Sequence, residues 1–356
     1  GGETPPKGTP SKAMVKTRSV GAAEGAGVPL PKKPASKRAK EVFGWAHYWR
    51  VGKLALFSLA IFSASFALLL SLNKEHLSVR LGKVAALTFG VQWAGYTVSA
   101  LLKTERFYDM FGVGSFCVIA ALSHHVSGLT PRPTLRTDIV LCMVLAWGVR
   151  LGSYLIGRIW KDGHDKRFDG VKTDPVMFWV YWTLQGVWVF VTTLPVTVLC
   201  LRPEGWDLSH LKTNDKLGMG IWALGFLIEA VADWQKSSFR SNPNNKDEFI
   251  RTGLWKFCRH PNYFGEVVVW IGITMVCLTP LLFKQRLIIF QSPVFVCLLL
   301  TQMSGVPILE KSAWKKWGHR VDYREYLASS RVMVLLPWAP RAKPLRKAKG
   351  DGAKEE

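Results

Sequence analysis

Long uncharged runs alternate with polar, basic segments along most of the chain. The run "LALFSLAIFSASFALLLSL" (54–72) contains nineteen consecutive residues without a charge. A helix of about 20 apolar residues is long enough to cross the hydrocarbon core of a bilayer. Comparable runs follow at about 84–102, 111–129, 138–157, 176–200, 217–232, 267–283 and 287–306. The pattern predicts an all-α, polytopic transmembrane helical bundle with about eight spans, in a range of about seven to ten.

Strands do not account for these runs. A membrane-spanning β-barrel is built from short alternating segments, whereas these runs are apolar throughout. A helix also satisfies its own backbone hydrogen bonds, which a lipid-exposed segment must do. After the last run, "LEKSAWKKWGHRVDYREYLASSRVMVLLP" (309–337) mixes Trp, Tyr and Arg with apolar residues. This composition predicts a C-terminal amphipathic helix that lies at the membrane interface.

The two ends of the chain differ in composition from its apolar middle. Residues 1–40 are rich in Pro, Gly, Ala and Lys and lack hydrophobic periodicity, which predicts a disordered basic tail. Residues 41–110 comprise an interfacial segment, "EVFGWAHYWRVGK", and the first spans. Residues 338–356 form a C-terminal tail of basic and acidic residues.

The net charge of +22 arises from 47 Lys and Arg against 25 Asp and Glu. These basic residues lie in the tails and in alternate loops, as the positive-inside rule predicts for a membrane protein with a cytoplasmic N-terminus. We therefore expect the lipid bilayer as the partner and no nucleic acid. Basic tails also bind anionic headgroups, at about 1 kcal/mol for each nearby Lys or Arg.

The six cysteines and the acidic loop residues do not predict a metal site or a disulfide framework. The cysteines lie mostly inside the apolar runs and contain no C-x-x-C pair. The loop "HDKRFDG" (164–170) lacks the glycine and the closing Glu of a calcium loop. Its acidic and basic residues interleave, which predicts a salt-bridged cytosolic loop.

Three long polar segments fall on the same side of the membrane in the eight-span topology. They are 158–174, 233–266 and 309–337. No G-x-G-x-x-G after a strand, P-loop, H-E-x-x-H or G-x-S-x-G motif is present. We therefore expect a functional site where these three segments meet, without a Rossmann or Walker nucleotide motif.

The segment 233–266 carries side chains suited to phosphate and amide recognition. Arginine and lysine bind phosphate oxygens, and asparagine offers a paired donor and acceptor. Glu266 lies one helical turn beyond Asn262, so both can face one cavity. An ionisable group at the mouth of a span is a functional candidate, because leaving it unpaired there is costly. The residues are Arg240, Asn242, Asn244, Asn245, Lys246, Arg251, Arg259, Asn262 and Glu266.

The segment "GLWKFCRHPNYFGEVVVWIGI" (253–273) resembles the C-terminal signature of the steroid 5-alpha-reductase-like family of membrane reductases. The preceding "ADWQKSSFRSNPNNKDEFIRTG" resembles that family's cofactor loop, and the match is closest to its widespread multi-span branch. The resemblance covers about 85–337, with a cofactor region at 233–337. It includes "ERFYDMFG", "WGVRLGSYLIGRIWKDGHDKRF" and "FWVYWTLQGVWVFVTTLPV" upstream.

The resemblance implies an NADPH-dependent reduction of a carbon–carbon double bond, typically conjugated to a carbonyl, in an apolar lipid. It also implies a multi-pass membrane protein, of the endoplasmic reticulum if the source is eukaryotic. By the match, Asp233 and the following loop face the adenosine and its phosphates, and Asn262 and Glu266 lie near the nicotinamide or ribose. The full implied set is Asp233, Arg240, Asn242, Asn245, Lys246, Arg259, His260, Asn262, Tyr263, Glu266, Tyr323, Tyr326 and Arg331.

The group that polarises the substrate carbonyl has no direct match in this chain. Candidates within the resembling blocks are Tyr108, Tyr154, Tyr181 and Gln185. Each tyrosine has an alternative as an interfacial anchor or a packing residue.

Two other functions remain open on the sequence. Membrane methyltransferases that bind S-adenosylmethionine share an Arg-His-Pro-x-Tyr-x-Gly-Glu run, although the Asn- and Arg-rich loop here favours a phosphate-bearing dinucleotide. A membrane scaffold that has lost catalysis is the third interpretation. The sequence leaves open the substrate, which can be a sterol, a polyprenol, a fatty enoyl chain or a quinone, and also the oligomeric state.

Overall fold

The computed structural model describes residues 75–125, 134–201 and 210–335, together with isolated helical positions between 49 and 63. The predicted tails at 1–40 and 338–356 lie outside the described residues, as does most of the first predicted span, 54–72. Within the described residues the protein contains helices and no strand; one isolated bridge joins Cys258 and Arg331. The predicted all-α class is confirmed.

The described residues form nine α-helices, which we number in chain order. Short 3-10 turns occur at Lys166–Phe168, Pro243–Asn245 and Gly253–Lys256. The α-helices are α1 (Glu75–Leu101), α2 (Tyr108–His125), α3 (Leu135–Asp162), α4 (Pro175–Cys200), α5 (Thr213–Ser241), α6 (Pro261–Leu278), α7 (Phe283–Leu298), α8 (Val306–Trp317) and α9 (Val321–Ser329).

Five helical segments are long and apolar enough to cross a membrane. They are α3, α4, α5, α6 and the continuous run from α7 through a π-helical turn into α8. The predicted spans 84–102 and 111–129 overlap helices α1 and α2, which this group of five does not include, and residues 126–129 lie outside the described residues. The protein is thus a multi-pass helical membrane protein, as its sequence predicts.

Two boundaries differ from the sequence prediction. Helix α6 begins at Pro261 rather than at residue 267, because proline is well suited to the first helical position. The polar residues Asn262 and Glu266 therefore lie on the helix itself. The predicted C-terminal interfacial helix is two short helices, α8 and α9, which are separated at Gly318, where the backbone N–H caps the carbonyl of Trp314.

Helix α4 is the central element of the bundle. Asp174 caps its N-terminus by accepting hydrogen bonds from the backbone N–H groups of Val176 and Met177, both at 3.1 Å. Almost every residue from Gln185 to Cys200 is buried. A helix that is apolar on all sides is expected where other helices surround it.

Helices α5 and α6 pack more closely than ordinary side chains permit. A β-carbon on Gly225 would lie 2.7 Å from the backbone nitrogen of Val269, and one on Gly272 would lie 2.7 Å from the carbonyl oxygen of Gly218. A β-carbon on Gly265 would lie 2.7 Å from Cβ of Glu229. Small residues allow the close backbone approach that drives helix association in membranes.

A buried ion pair joins α3 to α5 close to the start of α5. Arg136 of α3 donates to Asp215 of α5, and both side chains are almost completely buried. The other carboxylate oxygen of Asp215 accepts from the hydroxyl of Thr279 at 2.9 Å. This pair connects the start of α3 and α5 with the end of α6.

The glycine contacts predict that Gly225→Ala destabilises the bundle. The added methyl group overlaps the α6 backbone, so we expect a loss of about 1–3 kcal/mol in the free energy of unfolding. Thermal unfolding in mild detergent measures this change. Gly220→Ala is the matched control, since nothing lies within 4 Å of a β-carbon there. An equal response of the two variants would contradict the close packing of α5 on α6.

Candidate functional site

Arg150 of α3 is at the centre of a charged cluster inside the bundle. Its guanidinium forms ion pairs with Glu229 and Asp233, which lie one turn apart on α5. The Arg150–Asp233 pair measures 2.7 Å, and both carboxylates are buried. Trp147, one turn before Arg150, donates its indole N–H to the other oxygen of Glu229 at 3.1 Å. Arg150 thus holds the two carboxylates of α5 against α3.

Helix α6 adds an amide and a third carboxyl group to this cluster. Asn262 donates from its side-chain amide to Asp233 at 3.1 Å. Glu266, one turn further along α6, is buried, and the charged groups that act on it are Glu229, Arg150 and Asp233. The close glycine packing of α5 on α6 brings these groups together. Asn262 and Glu266 lie one turn apart on α6, as the sequence spacing predicts; a shared cavity remains a prediction.

An aromatic layer lies next to the charged cluster. Trp270 is one turn beyond Glu266 on α6, and its ring is 5.2 Å from that of Trp147. The ring of Phe116 is 5.2 Å from Trp147 and 4.8 Å from Trp188. The Trp270 indole nitrogen is buried and makes no hydrogen bond within the described residues. The site therefore changes from charged to apolar along α6.

Basic side chains lie at the end of the cluster away from the aromatic layer. We call this the basic end; its residues are Arg158, Arg167, Lys236 and Arg240. Arg158 of α3 pairs with Asp109 at 2.6 Å, and Arg167 pairs with Asp109 at 3.0 Å. Lys236 and Arg240 of α5 lie on the same side, and neither forms an ion pair or hydrogen bond within the described residues. Lys236 lies 5.0 Å from the centre of the Trp255 ring. The predicted salt-bridged loop after α3 is therefore part of this basic end.

The three polar segments expected on one side of the membrane meet here. The Lys161 ammonium donates to the Ser241 hydroxyl at 2.7 Å, which joins the end of α3 to the end of α5. The Trp317 indole N–H donates to the carbonyl of Asp247 at 2.8 Å. Arg320 binds both oxygens of Glu248, at 3.0 and 2.9 Å. The C-terminal helices thus hold the loop that follows α5.

The C-terminal tyrosines pack against this loop. The Tyr323 ring lies 4.9 Å from that of Phe249, and the Tyr326 hydroxyl donates to the carbonyl of Trp255 at 2.7 Å. Burial raises the pKa of Tyr323 to about 12 and also raises the pKa of Tyr326. Both phenols are therefore protonated at neutral pH. Arg331 joins the same region through backbone hydrogen bonds to Phe257 and Arg259.

Arg259 and His260 face the C-terminal helices. The Arg259 guanidinium donates to Glu310 of α8 at 2.8 Å and to the carbonyl of Leu327 at 3.0 Å. The buried His260 ring stacks on Tyr263 at 5.6 Å, and its Nε2 lies 3.4 Å from Glu310. Burial lowers the pKa of His260, although Glu310 favours the charged form. In this structure the Arg259 guanidinium is therefore occupied by the Glu310 carboxylate and does not face an open pocket.

The remaining loop residues that the family match implies lie at the surface. Asn242 accepts from the backbone N–H of Asn244 at 3.0 Å, and Asn245 donates to the carbonyl of Phe239 at 3.0 Å. Lys246 is exposed, and its carbonyl accepts from Lys316 at 3.1 Å. The two asparagines thus shape the loop through its own backbone.

The four candidates for a carbonyl-polarising group separate into two places. Tyr108 donates its hydroxyl to the carbonyl of Tyr181 at 3.0 Å, and Gln185 donates to the carbonyl of Tyr108 at 3.0 Å. The Tyr181 ring packs on Phe168 at 5.5 Å. Of the four candidates, Tyr154 is the one beside the charged cluster, where its hydroxyl lies near Ser237 and Asp233.

Sequence reasoning missed Arg150, Glu229 and Trp147 as site residues. Arg150 and Glu229 are charged residues inside long apolar runs, which marks an intramembrane functional candidate. That signal was available in the sequence. The sequence does not show which residues pair with Arg150, because α3 and α5 are far apart in the chain.

Comparison with known proteins identifies the family of this chain. Residues 95–330 match the family model "Protein of unknown function (DUF1295)". The chain belongs to the DUF1295 family. The predicted resemblance to the steroid 5-alpha-reductase-like membrane reductases is confirmed. The matched range contains the charged cluster, the basic end and both C-terminal helices, α8 and α9.

Curated relatives match over shorter stretches. Delta(14)-sterol reductase LBR of Gallus gallus is 29% identical over 117 residues, 28% of this chain and 18% of the relative. Delta(14)-sterol reductase erg24 of Schizosaccharomyces pombe is 32% identical over 156 residues, 39% of this chain and 35% of the relative. The probable 7-dehydrocholesterol reductase of Acanthamoeba polyphaga mimivirus is 27% identical over 164 residues, with shares of 39% and 34%. This chain thus spans about a third or less of each relative's length. No solved structure matches.

The contacts of Arg259 predict a structural effect when it is replaced. Arg259→Met leaves the partly buried Glu310 and the carbonyl of Leu327 without their guanidinium partner, so we expect a loss of about 1–3 kcal/mol in the free energy of unfolding. Arg251→Met is the control, because the Arg251–Asp322 pair is exposed and should contribute no more than about 1 kcal/mol. Thermal unfolding in detergent distinguishes them. Equal stability of the two variants would show that Arg259 is not an anchor of the C-terminal helices.

Proposed function

We propose that this protein is a membrane-embedded, NADPH-dependent reductase of a carbon–carbon double bond, conjugated to a carbonyl, in a sterol-like lipid. The observation that carries the proposal is the gradient along α6, from a basic end through Asn262 and Glu266 to an apolar aromatic layer at Trp270. A polar cofactor and an apolar substrate need such a boundary in order to meet. The three relatives named as sterol reductases support a sterol-like lipid.

The side chains at the basic end fit a phosphate-bearing cofactor. Lys236 and Arg240 are cations without ion-pair partners among the described residues, and Arg158 lies close to Lys236. Guanidinium and ammonium groups are the usual ligands of phosphate oxygens. We infer that these side chains hold the phosphates of NADPH. The other expected ligands in the loop, Asn242 and Lys246, adjoin the same end of the bundle.

The charged cluster has a positioning role in this proposal. When bound, NADPH supplies the hydride. Arg150 balances Glu229 and Asp233, so the two carboxylates keep a fixed geometry inside the membrane. Asp233 in turn orients the amide of Asn262, which leaves the amide oxygen of Asn262 to face the cofactor. The aromatic layer excludes water from the neighbouring apolar region.

The proposal predicts that the purified protein binds NADPH through Arg240. We expect Arg240→Gln to weaken binding by about tenfold or more, because a charge-assisted hydrogen bond to phosphate contributes about 1.5–3 kcal/mol. Titration of NADPH, followed by nicotinamide fluorescence and thermal shift in detergent, measures this. Lys216→Gln is the control, since Lys216 is an exposed cation at the other end of the same helix.

The same titration with NADH and S-adenosylmethionine tests the alternatives. Binding of NADPH that Asn262→Ala weakens would support the reductase and justify assays on lipid enones. Binding of S-adenosylmethionine alone would instead indicate a methyltransferase. If none of the three binds, the scaffold interpretation is favoured. We place the protein in the endoplasmic reticulum membrane for a eukaryotic source, on the strength of its family.

A further inference from the structure

The carboxyl groups of the charged cluster are not equally paired. Glu229 has Arg150 and the Trp147 indole as partners, and Asp233 has Arg150 and the Asn262 amide. Glu266 makes no hydrogen bond or ion pair within the described residues, although it is buried. One guanidinium therefore pairs with two carboxylates, and the third carboxyl group has no ion-pair partner within the described residues.

An unpaired carboxylate in this position is strongly disfavoured. The charged groups that face Glu266 are Glu229 and Asp233 on α5 and Arg150 on α3, and both α5 groups are negative. Tyr263 on α6 is the neighbouring ionisable residue of its own helix. A buried carboxyl group next to two carboxylates is more stable in its neutral form, so it retains its proton. The pairing pattern identifies Glu266, rather than Glu229 or Asp233, as the carboxyl group that does so.

Glu266 also occupies the boundary between the two halves of the site. On α6 it is one turn from Asn262, at the charged side, and one turn from Trp270, in the aromatic layer. In the proposed function, the reacting double bond meets the cofactor at this boundary. We propose that Glu266 is protonated in the resting protein and donates this proton to the substrate carbon that does not receive the hydride. The donation step rests on the proposed function, whereas the protonated state does not.

The proposed step balances in atoms and electrons. Reduction of the double bond requires a hydride, which NADPH supplies, and one proton. The hydride forms a carbon–hydrogen bond at one alkene carbon, and the former π electron pair forms a bond to the Glu266 proton at the other carbon. Breaking the O–H bond leaves Glu266 as a carboxylate beside Arg150. Water restores the proton before the next turnover.

Infrared spectroscopy of the purified protein tests the protonated state directly. A protonated carboxyl group absorbs in the carbonyl region above the carboxylate bands and shifts in deuterated water. We expect such a band near neutral pH, its loss in Glu266→Gln, and its retention in Glu105→Gln. Glu105 is a suitable control because it is buried as well. Burial by itself raises the pKa of Glu105, but the ion pair with Lys172 and the backbone hydrogen bonds together lower it below its usual value.

The isosteric variant also tests folding. Glutamine replaces a neutral acid without a change of charge, so Glu266→Gln should unfold at the same temperature as the native protein. Glu266→Asp, which keeps the acid, should retain a protonated-acid band if the glutamine variant does not fold. A missing band in the native protein, or one that persists in Glu266→Gln, would overturn the proposal.

Kinetics tests the donation step separately. In Glu266→Gln we expect NADPH binding to be retained and lipid reduction to fall by about a hundredfold or more, as for loss of a general acid. The native rate should fall as pH rises through the Glu266 titration, and the variant should lose that dependence. If the band is present but NADPH does not bind, the reductase function fails and the protonated Glu266 remains. If reduction is active and unchanged in Glu266→Gln, the donor role fails and the reductase function remains.

Discussion

The close approach of α5 and α6 is the contact on which the site depends. Gly225 and Gly265 let the two backbones meet, and Glu229 on α5 then lies directly against α6. At a wider separation the Asn262 amide would not reach Asp233. The same approach places Glu266 within the field of the α5 carboxylates. The glycine contact between α5 and α6, which is itself apolar, thus determines where the polar groups meet.

The bilayer makes the charge balance of this cluster decisive. In water a carboxylate without a partner is well solvated. Inside a membrane protein an ionisable group is costly, unless it forms an ion pair or a carboxyl group stays protonated. Arg150 pairs with two carboxylates, and the unpaired one is next to the aromatic layer. A group that the protein keeps neutral is in a position to give up its proton when a reaction creates negative charge nearby. The lack of an ion-pair partner therefore explains both why this carboxyl group is costly to ionise and why it can act as a proton donor.

Much of the fold follows from the sequence, because the length of an apolar run reports how much chain lipid and neighbouring helices can cover. Runs such as 138–157 and 176–200 lie within α3 and α4. The apolar run that starts at 267 predicted the start of α6 too late, because hydropathy marks the apolar part of a helix and not its first turn at Pro261. The site is less accessible to such reasoning. Asn262 and Glu266 follow from local spacing, whereas the contacts of Arg150 depend on helices distant in sequence.

The polar segment at the start of α6 has two structural roles, which explains why so many charged and polar residues adjoin an apolar span. Arg259 and His260 precede the helix and face Glu310, so they fasten the C-terminal helices to the bundle. Those helices in turn hold the loop after α5 through Trp317 and Arg320. From Asn262 onward the helix turns its polar side chains toward α3 and α5 instead. The anchor and the site are therefore consecutive on one segment, and a shift of α6 would disturb both together.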